Sequence, residues 1–427
     1  MTDVVFYFQV HQPHRVRRYP YFDIGCSRDY FDDAENARIV KRVAEKCYLP
    51  MNALLRRLID QKNTNFRCAF SITGTALDQM ERHAPAALAS FVDLASTGSV
   101  EFLAETYYHS LAGLFDLDEF RAQIAAHTRR IQELFGHTPR VFRNTELAFD
   151  NRVANVVEEL GYAGMLGEGA DRVLGWRSPH RVYQAAACRE LKLLLRSYRL
   201  SDDIAFRFQN RAWESWPLTA EKFATWLGAL PDDDKVVGLF MDYETFGEHQ
   251  WADCGIFQFM EQLPAALLAG RRARFATPSE TLAHHAAEGA IDYPDPVSWA
   301  DTERDLSAWL GNDMQRAAER ALYGLRPRLT ALEHRESPHS DGLLEDWRRL
   351  STSDHPYYMC TKYFSDGDVH KYFSPYSSPH DAYIYFMNVV GDLTRRIETA
   401  ERGLNRAATS VKTVDTPMLD PAPSVCP

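Results

Sequence analysis

The stretch KVVGLFMDYE, residues 235–244, is an apolar run of strand length that ends on two carboxylates, Asp242 and Glu244. A continuous apolar run of this length is typical of a strand buried on both faces, as in a parallel sheet covered by helices. Similar runs recur along the chain, and segments with helical periodicity separate them. We predict further strands at 4–11, 66–74, 100–109, 140–146, 163–167, 191–200 and 273–278.

Strands that alternate with helices imply parallel pairing through right-handed crossovers. Seven or eight such units favour a closed barrel over a doubly wound sheet. After about Tyr293 the pattern changes to long helical stretches, and the end of the chain is polar and Pro-rich. We therefore predict an α/β barrel over residues 1–292, a helical domain over 293–403 that completes the cleft at the barrel mouth, and a disordered tail over 404–427.

Composition excludes several classes of partner. Lys plus Arg number 48 and Asp plus Glu number 59, so the formal net charge is -11. Nucleic acids and anionic membranes both require a basic surface, so we expect neither as a partner. The first residues show no signal peptide pattern, and the seven cysteines are scattered without a CxxC pair. A reduced, cytoplasmic protein is the expectation.

Carboxylates and imidazoles gather where the predicted strands end. In a βα barrel the functional residues lie at the carboxyl ends of the strands, so these side chains are expected to surround one mouth. The chemistry is therefore predicted at this end of the barrel. The polar residues that follow the strands are His11, Gln12, Glu105, His109, Asn144, Glu146, Asp202, Asp242, Glu244 and His249.

Two of these carboxylates, Glu146 and Asp242, end the predicted strands at 140–146 and 235–244. Burial and the nearby Glu244 carboxylate are expected to raise the pKa of Asp242, which suits a general acid at neutral pH. Two carboxyl groups on opposite sides of a bond can hydrolyse a glycoside. Many barrel enzymes with other chemistry share this pattern, and either acid could instead be a structural partner of Arg143 or Arg207.

Five segments in order along the chain resemble the motifs of glycoside hydrolase family 57, with flanking sequence similar to its α-amylase-type members. The resemblance implies an irregular (β/α)7 barrel followed by a helical domain. It also implies a retaining mechanism, in which Glu146 is the nucleophile and Asp242 is the general acid/base. The segments are HQP at 11–13, ITGTALDQM at 72–80, RNTELAFDN at 143–151, MDYETFGEHQW at 241–251 and AWLGNDMQ at 308–315.

The resemblance carries over to further residues as substrate-binding expectations. His11, with Gln12 nearby, would bond the sugar beside the nucleophile, and Glu244 and His249 would orient the substrate or tune Asp242. A stacking platform is expected from Trp299 or Trp309, although either could be interface core. Asp202 and His109 are expected to line the mouth. The implied reaction is cleavage of α-1,4-glucosidic bonds in starch, glycogen or maltodextrins, without a cofactor or a metal ion.

Three alternatives stay open at this point. A 4-α-glucanotransferase or a branching enzyme would use the same carboxylate pair, because hydrolysis and transfer share the covalent intermediate. A non-catalytic α-glucan-binding protein is disfavoured because both carboxylates are present. A metal-dependent polysaccharide deacetylase could use His11 and His14, but His14 follows Pro13 in a predicted loop and no HxxxH stands near an Asp pair.

Overall fold

The barrel is built on its first strand, β1 (Thr2–Val10), whose nine residues are all buried. A computed structural model describes residues 1–61, 63–270, 273–335, 337, 340–362 and 374–412. In it, β1 pairs in parallel with β2 (Cys68–Ile72) on one side and with β8 (Val236–Asp242) on the other. Burial on both faces explains why the predicted strand segments are continuously apolar rather than alternating.

Seven parallel strands close into a ring in the order β1-β2-β3-β4-β5-β7-β8, with a bridge between Ala104 and Phe142 joining β3 to β4. The (β/α)7 barrel expected from the sequence is therefore confirmed. The remaining strands of the described chain are β3 (Val100–Phe102), β4 (Val141–Arg143), β5 (Gly164–Glu168), β6 (Val182–Ala185), β7 (Lys192–Arg196), β9 (Ala273–Phe275) and β10 (Ala290–Ile291).

The barrel is irregular at three strands. β9 pairs with residues 2–4 of β1, on the same edge of β1 whose residues 7–10 pair with β2. β6 runs antiparallel to β7, and β10 pairs with β6. β6 and β10 were not predicted, because they are only four and two residues long.

The helices follow their local signals closely. A π-helical turn, Ala44–Tyr48, separates the helices Asp33–Val43 and Leu49–Asp60, and Pro85 begins the helix Pro85–Ser96. Gly136, with φ 67°, ends α6 in the left-handed region, where a residue without Cβ is not strained. The barrel helices are α1 (Asp33–Val43), α2 (Leu49–Asp60), α3 (Gly74–His83), α4 (Pro85–Ser96), α5 (Ala112–Phe115), α6 (Leu117–Phe135), α7 (Asn151–Glu159), α8 (Asp171–Leu174), α9 (Tyr198–Ala205), α10 (Ala220–Gly228), α11 (Ile256–Gly270) and α12 (Pro278–His284).

Most strands are shorter than predicted, and in three of them this changes where a site residue lies. β3 ends at Phe102, so Glu105 and His109 lie in the loop beyond it. β7 ends at Arg196, and residues 198–205 form α9 instead, so Asp202 lies on a helix rather than at a strand end. β4 ends at Arg143, and Glu146 belongs to a short 3-10 turn, Thr145–Leu147. The prediction that Glu146 continues the strand was wrong, because its backbone has left the extended region.

A second hydrophobic core lies in the helices that follow β10. Its members include Trp347 and Leu393, and also Val16, Tyr19 and Tyr30 from the segment between β1 and α1. This segment of the barrel region therefore packs with the helical region. The helices are α13 (Ser307–Leu310), α14 (Asp313–Tyr323), α15 (Arg326–His334), α16 (Ser340–Leu350), α17 (Asp354–Tyr357) and α18 (Pro379–Lys412).

The last helix, α18, continues through 404–412, which the sequence assigned to the tail. The rest of the predicted tail, 413–427, lies outside the described residues. In the described part of the chain, every helix is too short or too polar to cross a lipid bilayer.

Candidate active site

One cavity opens where the barrel strands end against the helical region. Of the residues predicted to act in catalysis or substrate binding, all except Trp299 and Asp202 line it. Its walls combine residues from β1 and β8 with residues from α13 and α17, which are far apart in the sequence. The lining residues are Gln9, His11, Gln12, Pro13, Arg15, His109, Glu146, Asp242, Glu244, His249, Trp309, Ser353, Asp354, Tyr357 and Tyr358.

Glu146 has a backbone conformation that non-glycine residues rarely adopt. Its φ is 57° and that of Leu147 is 49°, both in the left-handed region. This conformation costs about 1–2 kcal/mol per residue, so it persists only where the surrounding contacts hold it. The side chain is fixed at both oxygens: His109 Nε2 lies 2.8 Å from Oε1, and Trp299 Nε1 donates to Oε2 at 2.7 Å.

His109 is held between two glutamates. Besides Glu146, Glu105 Oε2 lies 3.3 Å from its Nδ1. Burial alone would lower the pKa of His109, but its hydrogen bonds to the two carboxylates and their charges raise it to about 9. The imidazole is therefore a cation at neutral pH and donates a hydrogen bond to each glutamate.

These contacts set the charge of Glu146. Burial alone would raise its pKa, but the hydrogen bond and charge of His109, the charge of Arg143 and the Trp299 hydrogen bond together lower it. Glu146 is therefore an ionised carboxylate that faces the cavity, the state that a nucleophile requires.

Asp242, the last residue of β8, has its pKa shifted in the opposite direction. Burial, followed by the negative charge of Glu146, raises its pKa to about 6. A raised pKa was expected from burial and from Glu244; burial does contribute, but the carboxylate that raises it further is Glu146. Two carboxyls whose environments separate their pKa values are the signature of an acid/base assignment.

Glu244 lies in a short 3-10 helix, Tyr243–Thr245, beyond the end of β8. Burial and the charge of Asp242 raise its pKa to about 8, and Tyr48 Oη donates to its Oε1 at 2.5 Å. His249 follows in the next loop, and burial lowers its pKa to about 4. Glu244 is thus a protonated carboxyl at neutral pH, and His249 is neutral.

His11 has both ring nitrogens engaged by the protein. Nδ1 lies 2.9 Å from Thr73 Oγ1, and Nε2 lies 2.8 Å from Asp354 Oδ2. The ring stacks on that of His109, with centroids 3.9 Å apart. Burial, followed by the charge of His109, lowers the pKa of His11. His11 therefore supports His109 and Asp354, and no nitrogen remains for a sugar hydroxyl.

Trp299 contacts the site through its indole N–H rather than through its ring face. The ring lies over the guanidinium of Arg143, with Cζ 4.7 Å from a ring centroid. Arg143 is fully buried, and its three guanidinium nitrogens make no hydrogen bond with the described residues. A buried cation thus lies beneath Trp299, close to the Glu146 carboxylate.

Asp202 does not line the cavity, and both of its carboxylate oxygens instead accept hydrogen bonds from arginines. Arg196 donates to its Oδ1 at 2.5 Å, and Arg304 donates to its Oδ2 at 3.3 Å. The same two arginines bond Glu168 Oε2 at 3.2 and 3.1 Å, which closes a ring of four charges. Arg304 also donates to the carbonyl of Trp299 at 3.3 Å, so the network anchors the loop that carries this tryptophan.

The helical region supplies one wall of the cavity, and three residues of that wall, Asp354, Tyr357 and Tyr358, were not predicted. Trp309 is buried and packs on Tyr357, with ring centroids 5.7 Å apart, so it serves both as interface core and as cavity lining. Asp354 and Tyr358 lie on the same wall. One sequence feature could have indicated this wall: the segment SDHPYYM (353–359) is a cluster of polar and aromatic residues directly after a helix.

The barrel, the two cavity carboxyls with separated pKa values and the polar cavity fit the class of glycosidases. The model of "Glycosyl hydrolase family 57" matches residues 5–294. A Methanocaldococcus jannaschii protein named "Putative alpha-amylase" is 41% identical over 399 residues, which are 91% of this chain and 83% of that protein. This chain belongs to glycosyl hydrolase family 57.

Solved structures show the same fold at low sequence identity. A branching enzyme from Thermococcus kodakaraensis has a TM-score of 0.68 at 15% identity, over 95% of this chain and 91% of that chain. A 4-alpha-glucanotransferase from Thermococcus litoralis has a TM-score of 0.61 at 15% identity, over 83% of this chain. This chain spans 56% of the length of that second protein.

Proposed function

We propose that this protein is a retaining α-glucan glycosidase that hydrolyses α-1,4 bonds of starch, glycogen or maltodextrins, with Glu146 as nucleophile and Asp242 as general acid/base. One observation carries the proposal. In a single cavity, an ionised Glu146 is held by His109 and Trp299, and Asp242 has a pKa raised to about 6. This is the protonation pattern that double displacement at a glycosidic bond needs.

In the first step, the Glu146 carboxylate attacks the anomeric carbon while Asp242 donates its proton to the glycosidic oxygen. The C–O bond breaks, the leaving sugar departs with a free hydroxyl, and a glycosyl ester forms on Glu146. Asp242, now ionised, then removes a proton from water. The water oxygen displaces Glu146 and restores both groups. His109 and Trp299 keep Glu146 oriented and ionised between turnovers.

Substrate contacts are proposed from polar groups that line the cavity. Gln12, His249 and the protonated Glu244 line the cavity beside Asp242, and Glu244 can both donate to and accept from sugar hydroxyls. Asp354, whose pKa is lowered well below its ordinary value mainly by His11 against the effect of burial, can accept from a hydroxyl. Trp309 and Tyr357 offer aromatic surface to the apolar face of a sugar.

The structure offers little support for the deacetylase alternative. His11 is bonded to Thr73 and Asp354, and His14 is not part of a three-residue group with metal-ligand spacing among the described residues. A non-catalytic binding role gives no reason for the pKa values of two carboxyls in one cavity to be shifted in opposite directions.

Hydrolysis, 4-α-glucanotransfer and branching are distinguished by their products from one substrate. Maltoheptaose incubated with the protein is expected to yield only shorter maltodextrins, with the newly formed reducing end initially in the α configuration by proton NMR. Longer oligosaccharides would mean transfer, and new α-1,6 linkages from amylose would mean branching. Initial β product would contradict retention, and no turnover of any α-glucan would contradict the enzyme.

The Trp299 contact predicts a specific kinetic defect. Trp299→Phe keeps an aromatic ring over Arg143 but removes the N–H donor to Glu146. A hydrogen bond to an ionised group contributes about 1.5–3 kcal/mol, so we expect kcat/KM on maltoheptaose to fall by about 10- to 100-fold. Loss of the donor also raises the pKa of Glu146, so the acidic limb of the pH profile should move to higher pH.

A matched control is Trp226→Phe, on α10, which is similarly half-buried and outside the cavity. Its kcat/KM and its pH profile should equal those of the parent protein. An unshifted acidic limb in Trp299→Phe would show that the indole does not tune Glu146.

A further inference from the structure

A second cluster of ionisable side chains lies at the opposite end of the barrel from the carboxyl pair. Asp3 stands near the start of β1, and His284 and His285 stand at the end of α12. His284 Nδ1 is 2.7 Å and His285 Nε2 is 3.2 Å from the same oxygen, Asp3 Oδ2. Among the described residues, this is the one group of three whose ligand atoms all lie within 4.8 Å of one another.

The carboxylate of Asp3 is oriented by a separate contact. Asp3 is fully buried, and Arg274 Nε donates to its other oxygen, Oδ1, at 2.5 Å. Arg274 is the neighbour of Asp3 across the β1–β9 pairing, so the contact follows from strand register. Oδ2 is left to face the two imidazoles, an arrangement in which one oxygen can ligate while the other is held by a hydrogen bond.

The two imidazoles are also placed by the fold. A capping box between Thr277 and Glu280 fixes the start of α12. At its end, Lys192 Nζ donates to the carbonyls of Leu282 and His285 at 2.7 and 3.0 Å. His285 Nε2 is buried and makes no hydrogen bond of good geometry among the described residues. A ligand on this nitrogen would satisfy an otherwise unpaired buried group.

We propose that Asp3 Oδ2, His284 Nδ1 and His285 Nε2 bind a divalent transition-metal ion of the Zn²⁺ class. Two imidazoles and one carboxylate favour Zn²⁺ over Mg²⁺ or Ca²⁺, which prefer oxygen ligands. Tetrahedral bonds of about 2.0–2.1 Å place ligand atoms roughly 3.3 Å apart. The 3.2 Å between His285 Nε2 and Asp3 Oδ2 is close to this spacing. The 2.7 Å between His284 Nδ1 and Asp3 Oδ2 has to lengthen by about half an ångström. The ring proton of His284 then has to lie on Nε2, so that Nδ1 can bind the ion.

The ion would cross-link the first strand of the barrel to its last helix and complete its coordination with solvent, since His284 is exposed. Its position makes it a stabilising site with no part in glycoside cleavage. The proposal is therefore independent of the proposed function, and the two can fail separately.

Calorimetric titration of the chelator-treated full chain with ZnCl₂ tests the site. We expect one saturable site, a higher midpoint of thermal unfolding with Zn²⁺ than without it, and a tetrahedral visible spectrum with Co²⁺. His284→Ala and His285→Gln should each weaken Zn²⁺ binding by at least about tenfold. His334→Ala, an exposed histidine on α15, should bind Zn²⁺ like the parent.

Absence of saturable binding to the folded parent would overturn the proposal. So would undiminished binding in both variants, because the ion would then lie elsewhere. Circular dichroism establishes that each variant is folded, and glucan turnover should be unchanged by chelation. If chelation abolished turnover without unfolding the protein, the assignment of a purely stabilising site would be wrong.

Discussion

Glu146→Gln is expected to lower kcat/KM on maltoheptaose by roughly 10⁴-fold or more, because an amide cannot form the glycosyl ester. Gln occupies nearly the same volume and keeps an acceptor for the Trp299 indole. The left-handed backbone conformation at this position, φ 57°, is equally unfavourable for Gln and Glu, so the variant should fold like the parent. Reducing-end release and the thermal midpoint, measured together, separate lost chemistry from lost stability.

Glu319→Gln is the matched control for this substitution. Glu319 is a buried glutamate of the helical region outside the cavity, and burial raises its pKa to about 8. Its carboxyl is therefore already neutral at pH 7, and an amide is a close substitute. Turnover in Glu319→Gln should equal that of the parent. Near-parental activity in Glu146→Gln would remove Glu146 from the role of nucleophile.

Azide provides a stereochemical check on the same residue. In Glu146→Ala the side of the sugar that the carboxylate attacks is open, so azide can enter there when α-maltosyl fluoride supplies a good leaving group. The expected product is the β-glycosyl azide, with restored turnover. An α-glycosyl azide would indicate that the missing carboxylate served the opposite face.

The barrel could be predicted because its signal is local. Each buried strand is an apolar run, and Asp242 and Glu244 directly follow the clearest of them, so their place at the mouth followed from sequence alone. β6 was not predicted because this short antiparallel strand, VYQA, lies outside the ring and contains no such run. Asp202 was misplaced because Tyr198 and Leu200 alternate with polar residues and so seem to extend β7, whereas they begin α9.

The local geometry of Glu146 could not be predicted from spacing. No sequence rule places a glutamate at positive φ, since the conformation is imposed by contacts from Trp299 and His109, more than 30 residues away on either side. The second wall, with Asp354 and Tyr357, depends on how the helical region packs against the barrel. Hydrophobic periodicity predicts the helices of this region, but it does not predict which of their polar residues line the cavity.

The charges of the site also depend on distant contacts. His109 is a cation only because Glu105 and Glu146 both reach it, and the stacked His11 remains neutral beside it. Glu146 therefore stays ionised while Asp242, close enough to feel its charge, binds its proton more tightly. The difference between the two carboxyls is a property of the assembled barrel rather than of either segment.

Asp242→Asn should separate the two steps of the reaction. Removing the general acid slows cleavage of maltoheptaose by about 10²–10⁴-fold. Glycosylation by α-maltosyl fluoride should be less affected, because fluoride leaves without protonation. The glycosyl ester should then accumulate, and it is detectable by mass spectrometry of the intact protein. Azide should release it as the α-glycosyl azide, the anomer opposite to that expected from Glu146→Ala.

The pH profile of the parent protein follows from the same pair. Cleavage needs Glu146 ionised and Asp242 protonated, so kcat/KM should rise through the lowered pKa of Glu146 and fall as pH passes about 6. With α-maltosyl fluoride as substrate, the fall should be absent from the glycosylation step in Asp242→Asn. If the basic limb with maltodextrins persisted unchanged in Asp242→Asn, another group, Glu244 with its pKa of about 8 foremost, would have to be the acid.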